Sequence, residues 1–292
     1  MSKITIWIEA TRPKTLPAAV TPVLLGSSLA HAAEQFAWQP AFICLIFALL
    51  IQIGTNFSND YLDAARGADT AARLGPRRAV ATGLIRPRQM RFYAITVLVI
   101  AFGCGLALIP YGGWWLLAVG IASVLSAWLY TGGPYPLAYN GLGDIFVVFF
   151  FGFIAVGCTY YVQTGIITSE VLLLGLTIGL LINNLLIVNN YRDLEEDRST
   201  QKRTSVVRFG RVFALRVYRF AGLSACVTPC VLVVQGYNYS LLFALLPAVA
   251  AILQARSLRA ARSAVDFLNV LKVSGWIVAS YGIFVSAGLV LG

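Results

Sequence analysis

The chain has 292 residues, of which 59% are hydrophobic and only 12% charged, and its mean hydropathy is +0.78. That balance excludes an ordinary soluble domain and points to a protein embedded in a lipid bilayer. The formal charge of +10 is not a sign of nucleic acid, because long apolar segments separate the basic residues; positive loops facing an anionic leaflet account for it.

The uncharged runs cover residues 15–33, 35–59, 92–143, 145–169, 171–191, 220–255 and 273–292. A span needs roughly 20 apolar residues, so 92–143 holds two, broken at 110–113. The 220–255 run divides at 236–240, its first helix beginning near Arg211. The expectation is one all-α membrane-embedded domain over 1–292, with nine transmembrane helices. All 22 Lys and Arg residues fall in the N-terminal tail and in the loops after helices 2, 6 and 8, helix ends included. The loops after helices 1, 3, 5 and 7 carry none, which implies an N-in, C-out arrangement. The first ten residues are short and mixed, so no cleavable signal is expected.

The cysteines, Cys44, Cys104, Cys158, Cys226 and Cys230, lie within apolar runs and read as buried thiols. Cys226 and Cys230 share a helical face, but no histidine or third cysteine lies near them in sequence. His31 is the chain's one histidine, which argues against a Ser-His-Asp triad or a multi-histidine metal site.

Two stretches concentrate the acidic residues. NFSNDYLDAARGAD (56–69) ends the second span and NNYRDLEEDRSTQKRT (189–204) ends the sixth; together they hold seven of the twelve carboxylates. Asn59 and Asp63 are spaced i,i+4, and so are Asn189, Asp193 and Asp197, placing each set on one helix face. The repeated asparagine–aspartate spacing suggests two equivalent corners across a central cavity. Carboxylates about 6 Å apart repel by roughly 3 kcal/mol at an effective dielectric near 20, and bound cations relieve that cost. Oxygen-only ligands point to Mg²⁺, which characteristically bridges carboxylates to substrate phosphates.

Asp60 reads equally as a metal ligand or a helix-end ion pair, and Gly67 is placed to end the helix before Asp69. Glu195 and Glu196 lie off the metal-facing edge and are expected to pair with loop arginines. Arg66, Arg73, Arg77, Arg78, Lys202, Arg203 and Arg208 are candidate phosphate contacts, with Lys14 reaching in from the N-terminus. Arg86, Arg88, Arg91, Arg256, Arg259 and Arg262 are read as contacts to anionic lipid.

The aspartate-rich stretches NDYLDAARGAD (59–69) and NNYRDLEED (189–197) resemble the paired motifs of the UbiA superfamily of intramembrane prenyltransferases, most closely its 1,4-dihydroxy-2-naphthoate branch. RPKTLP (12–17), RLGPRRAVATGLI (73–85), YTGGPYPLAYNGLGD (130–144) and TSVVRFG (204–210) extend the resemblance along the chain. It implies a nine-helix fold with a lipid-open cavity and a metal set of Asn59, Asp60, Asp63, Asp69, Asn189, Asp193 and Asp197 holding Mg²⁺. The implied catalytic residues are Asp63, Asp193 and Tyr130. Lys14, Arg66, Lys202, Arg203, Tyr130 and Asp144 are the implied substrate contacts. The implied reaction ionises a polyprenyl diphosphate, and 1,4-dihydroxy-2-naphthoate captures the allylic cation with loss of CO₂, giving a demethylmenaquinol. Tyr130 would face that cation or position the acceptor.

Two departures stand out. The hydroxybenzoate branch has lysine where this chain has Pro134, which favours the naphthoate acceptor. The naphthoate branch usually has glycine where this chain has Gln201. A UbiA-type enzyme with another aromatic acceptor stays open, as does a cation-coupled transporter, although transporters tend to hold such charges near the midplane. The CDP-alcohol transferase pattern fails, since Ala64 follows Asp63.

Overall fold

In the computed structural model, residues 2–67 and 78–291 are described, and among them every regular element is helical. The order is α1 (Lys3–Ala10), α2 (Pro17–Ala32), α3 (Trp38–Ala65), α4 (Pro87–Leu106), α5 (Ile109–Gly112) and α6 (Trp115–Leu129). Next comes α7 (Gly143–Val147), which runs through a π-helical stretch (Val148–Ile154) into α8 (Ala155–Thr164). The remaining helices are α9 (Ser169–Arg192), α10 (Leu194–Ser199), α11 (Ser205–Val234), α12 (Leu245–Ala260) and α13 (Ala264–Val290). Helices dominate because a chain in hydrocarbon must satisfy its backbone polar groups within the segment itself.

Seven of these helical segments among the described residues are long and apolar enough to cross a membrane. The other two expected spans appear as shorter helices, α2 with 16 residues and α6 with 15. The breaks fall where the sequence suggests. Residues Ile109–Gly112 form the isolated turn of α5 before Gly113, and α11 stops at Val234 before Gly236. Within α11 the backbone kinks at Gly210, so the long apolar helix starts at Arg211. Thr204 caps the short turn ahead of the kink, its hydroxyl accepting from Val207 N at 3.3 Å.

The centre of the bundle is α9. In its most apolar window 72% of residues are buried, against 22% in α4, which turns Phe92, Ile95 and Val99 outward as a lipid-facing surface would. Around α9 a single apolar cluster joins Leu25 and Leu29 of α2, Ile178 and Leu181 of α9, and Val278, Tyr281 and Val285 of α13. The π-helical stretch lies directly against α9 because Gly152 meets Gly175 and Gly179 there, and a Cβ at Gly152 would collide with the carbonyl of Gly175. Burial of α9 matters for the site, since its C-terminal turn carries Asn189 and Asp193.

Candidate active site

The C-terminal ends of α3 and α9 open onto one cavity. Its polar mouth takes Asn59 and Asp63 from α3, and Asn189, Arg192 and Asp193 from the end of α9. Arg12, Arg78, Tyr130, Asp144 and Lys202 line it too. The body is apolar, walled by Val23, Cys44, Leu116, Phe146, Phe150 and Leu186 among others. Two acidic corners four spans apart in the chain therefore face a shared space.

Each carboxylate at the mouth is held by specific partners. Asp63 Oδ1 accepts from the Tyr139 hydroxyl at 2.8 Å, and Oδ2 lies 3.7 Å from Arg78 Nη2. Asn59 Oδ1 accepts from Thr131 Oγ1 at 2.5 Å. Asp193 is gripped by Arg192, whose Nε and Nη2 donate to its two oxygens at 2.5 and 2.7 Å. The Arg192 side chain is fully buried, and its Nη1 has no hydrogen-bond partner among the described residues. Asp193 interrupts the helix between α9 and α10, yet backbone bonds from Asp193 N to Asn189 O and from Asp197 N to Asp193 O continue the i,i+4 register. Asp197 is buried next to Lys202, with Nζ 3.5 Å from its Oδ1. Burial, followed by the charges of Asp144, Asp63 and Asp197, raises the Tyr130 phenol above the usual tyrosine range.

Several residues singled out from the sequence lie elsewhere. Asp60 turns both oxygens to the loop after α3, accepting from Ala79 N and Val80 N at 3.0 Å each, and it does not line the cavity. The reason is local, because those amides need acceptors and Asp60 is 2% exposed. Lys14 is exposed; Arg12, with φ +53° turning the chain, takes the cavity position instead. Asn56 supports that turn, its Nδ2 donating to Thr11 O at 3.0 Å.

Arg66 lies over the Tyr139 ring at 5.2 Å and donates to Gly133 O, outside the cavity lining. Arg203 is exposed, its backbone N bonded to Tyr139 O. Glu195 pairs with Arg198 at 3.2 Å and sits near Arg211. Asp69, Arg73 and Arg77 fall outside the described residues. Gly67, with φ +68°, ends α3 as expected.

Sequence reasoning passed over Arg192 and Tyr139. Only the adjacency of Arg192 to Asp193 hinted at the former.

The donor set suits a hard cation. Asn59, Asp63, Asn189 and Asp193 offer oxygen, and no histidine or cysteine lies at the mouth. Among the described residues no group of three or more carboxylate, histidine or thiol side chains forms a self-sufficient metal cage. That pattern fits Mg²⁺, which takes one or two carboxylates and completes its shell with phosphate oxygens and water.

Fold and site together define an integral membrane enzyme whose cavity joins a charged mouth to an apolar body. The chain belongs to the UbiA prenyltransferase family, whose model matches residues 19–276. It is 34% identical over 291 residues to the 1,4-dihydroxy-2-naphthoate octaprenyltransferase of Mycobacterium leprae, covering 100% of this chain and 98% of the relative. With the enzyme of the same description from Escherichia coli it shares 38% over 224 residues, covering 75% and 73% of the two chains. Among solved structures, a UbiA homologue from Archaeoglobus fulgidus bound to DMAPP and Mg²⁺ superposes with a TM-score of 0.66, covering 96% of this chain and 99% of the other. At 14% identity that likeness concerns the fold.

Proposed function

We propose that this prenyltransferase moves a polyprenyl group from polyprenyl diphosphate to 1,4-dihydroxy-2-naphthoate, releasing diphosphate and CO₂ and leaving a demethylmenaquinol. The carrying observation is the single cavity that joins a carboxylate-and-arginine mouth to an apolar body. The similarity to curated naphthoate octaprenyltransferases supports the acceptor. The distribution of Lys and Arg supports an active site on the cytoplasmic side, and the bacterial naphthoate relatives support a bacterial cytoplasmic membrane as its location.

Asn59, Asp63, Asn189 and Asp193 would hold Mg²⁺, with Asp197 behind them. Bound Mg²⁺ supplies charge neutralisation for a departing diphosphate. Arg12, Arg78 and Lys202 complement the remaining phosphate charge, and the free Nη1 of Arg192 is a further donor. Phe146 and Phe150, stacked with centroids 5.9 Å apart, shelter the allylic carbon from water, and the Tyr130 ring offers its face to the cation.

The test is product formation by the purified protein with polyprenyl diphosphate, Mg²⁺ and the naphthoate, followed by mass spectrometry. EDTA should stop turnover reversibly, and Asp63→Ala should abolish it in folded protein. Prenylation of 4-hydroxybenzoate without prenylation of the naphthoate would overturn the acceptor assignment.

A further inference from the structure

Asp144 is the cavity-wall carboxylate without a cation. Asp63 has Arg78 and Asp193 has Arg192, whereas among the described residues no lysine or arginine stands within ion-pair distance of Asp144. Its polar partner is an amide: Asn183 Nδ2 donates to Asp144 Oδ1 at 3.0 Å. Asn183 is 1% exposed within the apolar α9, where an amide is costly unless bonded, so the pair fixes the direction of the carboxylate.

Tyr130 lies alongside. A Cβ at Gly143 would stand 3.1 Å from the Tyr130 hydroxyl, so the phenol rests against the backbone that presents Asp144. Tyr130, Asp144 and Asp63 line the same cavity, so Asp144 stands where it can meet a substrate bound there.

We propose that Asp144 is the base for the aromatic acceptor: it takes the proton of the hydroxyl ortho to the carboxylate and gives it back, with Asn183 as its positioning residue. The proposal rests on the naphthoate reading. In the first step the bond from the prenyl carbon to diphosphate breaks and a carbon–carbon bond forms at the carboxylate-bearing ring carbon. The hydroxyl oxygen becomes a ketone as its proton passes to Asp144. In the second step the carbon–CO₂ bond breaks, its electron pair refills the ring, and the oxygen recovers the proton from Asp144. No proton is gained or lost overall, so the base must be reversible, and a carboxylate can take the proton and return it.

The experiment measures prenyl transfer by the intact protein in nanodiscs with the naphthoate and with its 1-O-methyl ether, which lacks the proton to be removed. Wild type should turn over the ether about 100-fold or more slowly than the naphthoate. Asp144→Asn should lower kcat for the naphthoate by a similar factor with little change in KM for prenyl diphosphate, and should not slow the ether further. Asp144→Glu should recover most of the rate, and Asn183→Ala should lower kcat less than Asp144→Asn.

Wild type turning over ether and naphthoate at similar rates would overturn the proposal without any variant having to fold. So would Asp144→Asn within about threefold of wild type. A wild type inactive on the naphthoate would overturn the acceptor assignment and this proposal together, and is thus told apart from failure of the base alone.

Discussion

The Tyr139 hydroxyl donates to Asp63 Oδ1 across 2.8 Å, tying the loop between α6 and α7 to the acidic corner of α3. The same ring lies under Arg66 and Lys202, at 5.2 and 5.3 Å from its centroid. Tyr139 therefore joins both aspartate-rich segments through one side chain. Tyr139→Phe keeps the ring and removes a bond to a charged acceptor, a contact worth about 1.5–3 kcal/mol. Prenyl transfer should fall about tenfold or more in kcat/KM while the protein stays folded in detergent. Unchanged kinetics would mean that Asp63 needs no such support.

Asp60 and Asp193 look alike in sequence and should behave differently. Asp60→Ala strands two buried amides, those of Ala79 and Val80, at about 1–3 kcal/mol each. Its signature should be a lower thermal midpoint, with Asp60→Asn in between because the amide oxygen still accepts one bond. Asp193→Ala should eliminate turnover, and its midpoint should fall too because the buried Arg192 loses its partner, so activity and not stability separates the two. Loss of activity in Asp60→Ala at an unaltered midpoint would return Asp60 to the metal set.

Arg192 offers a sharper contrast with Glu195. Arg192→Met removes the bidentate donor that grips the buried Asp193, and breaking a buried ion pair costs up to about 3–5 kcal/mol. Glu195, 67% exposed on its side chain, makes pairs worth about 1 kcal/mol at most. Thermal unfolding should show a large drop for the first substitution and almost none for Glu195→Ala. Equal effects would mean that the exposed edge of α10 bears on stability as much as the buried one.

The acidic corners were legible because a polar i,i+4 pair at the end of an apolar run has few other uses, and Asn59/Asp63 and Asn189/Asp193 both reach the cavity. What stayed hidden depended on backbone turns and distant partners. That Arg12 lines the cavity, with Lys14 exposed, follows from a left-handed residue whose φ no local pattern announces. The role of Asp60 depends on amides 19 and 20 residues further along. Tyr139 reaches Asp63 only because its loop folds back across α3. The span count suffers similarly: α2 and α6, with 16 and 15 residues, are shorter than their uncharged runs.

Gln201 ties the sequence departure to a backbone fact. Where the naphthoate branch usually has glycine, Gln201 adopts φ +58°, the left-handed conformation that glycine takes at little cost. For a residue with a Cβ that conformation costs roughly 1–2 kcal/mol. Here it allows Lys202 N to donate to Asp197 O at 2.8 Å, and Lys202 Nζ to lie 3.5 Å from the Asp197 carboxylate. Gln201→Gly relieves the strain but frees the unfolded chain by roughly 0.5–1 kcal/mol, so the thermal midpoint should hold or rise slightly. KM for prenyl diphosphate should not change. Gln201→Val puts a β-branched side chain into the same conformation and should lower the midpoint and raise that KM as Lys202 loosens. A glycine variant less stable than the valine variant would show that the Gln201 side chain, and not its backbone, holds the loop.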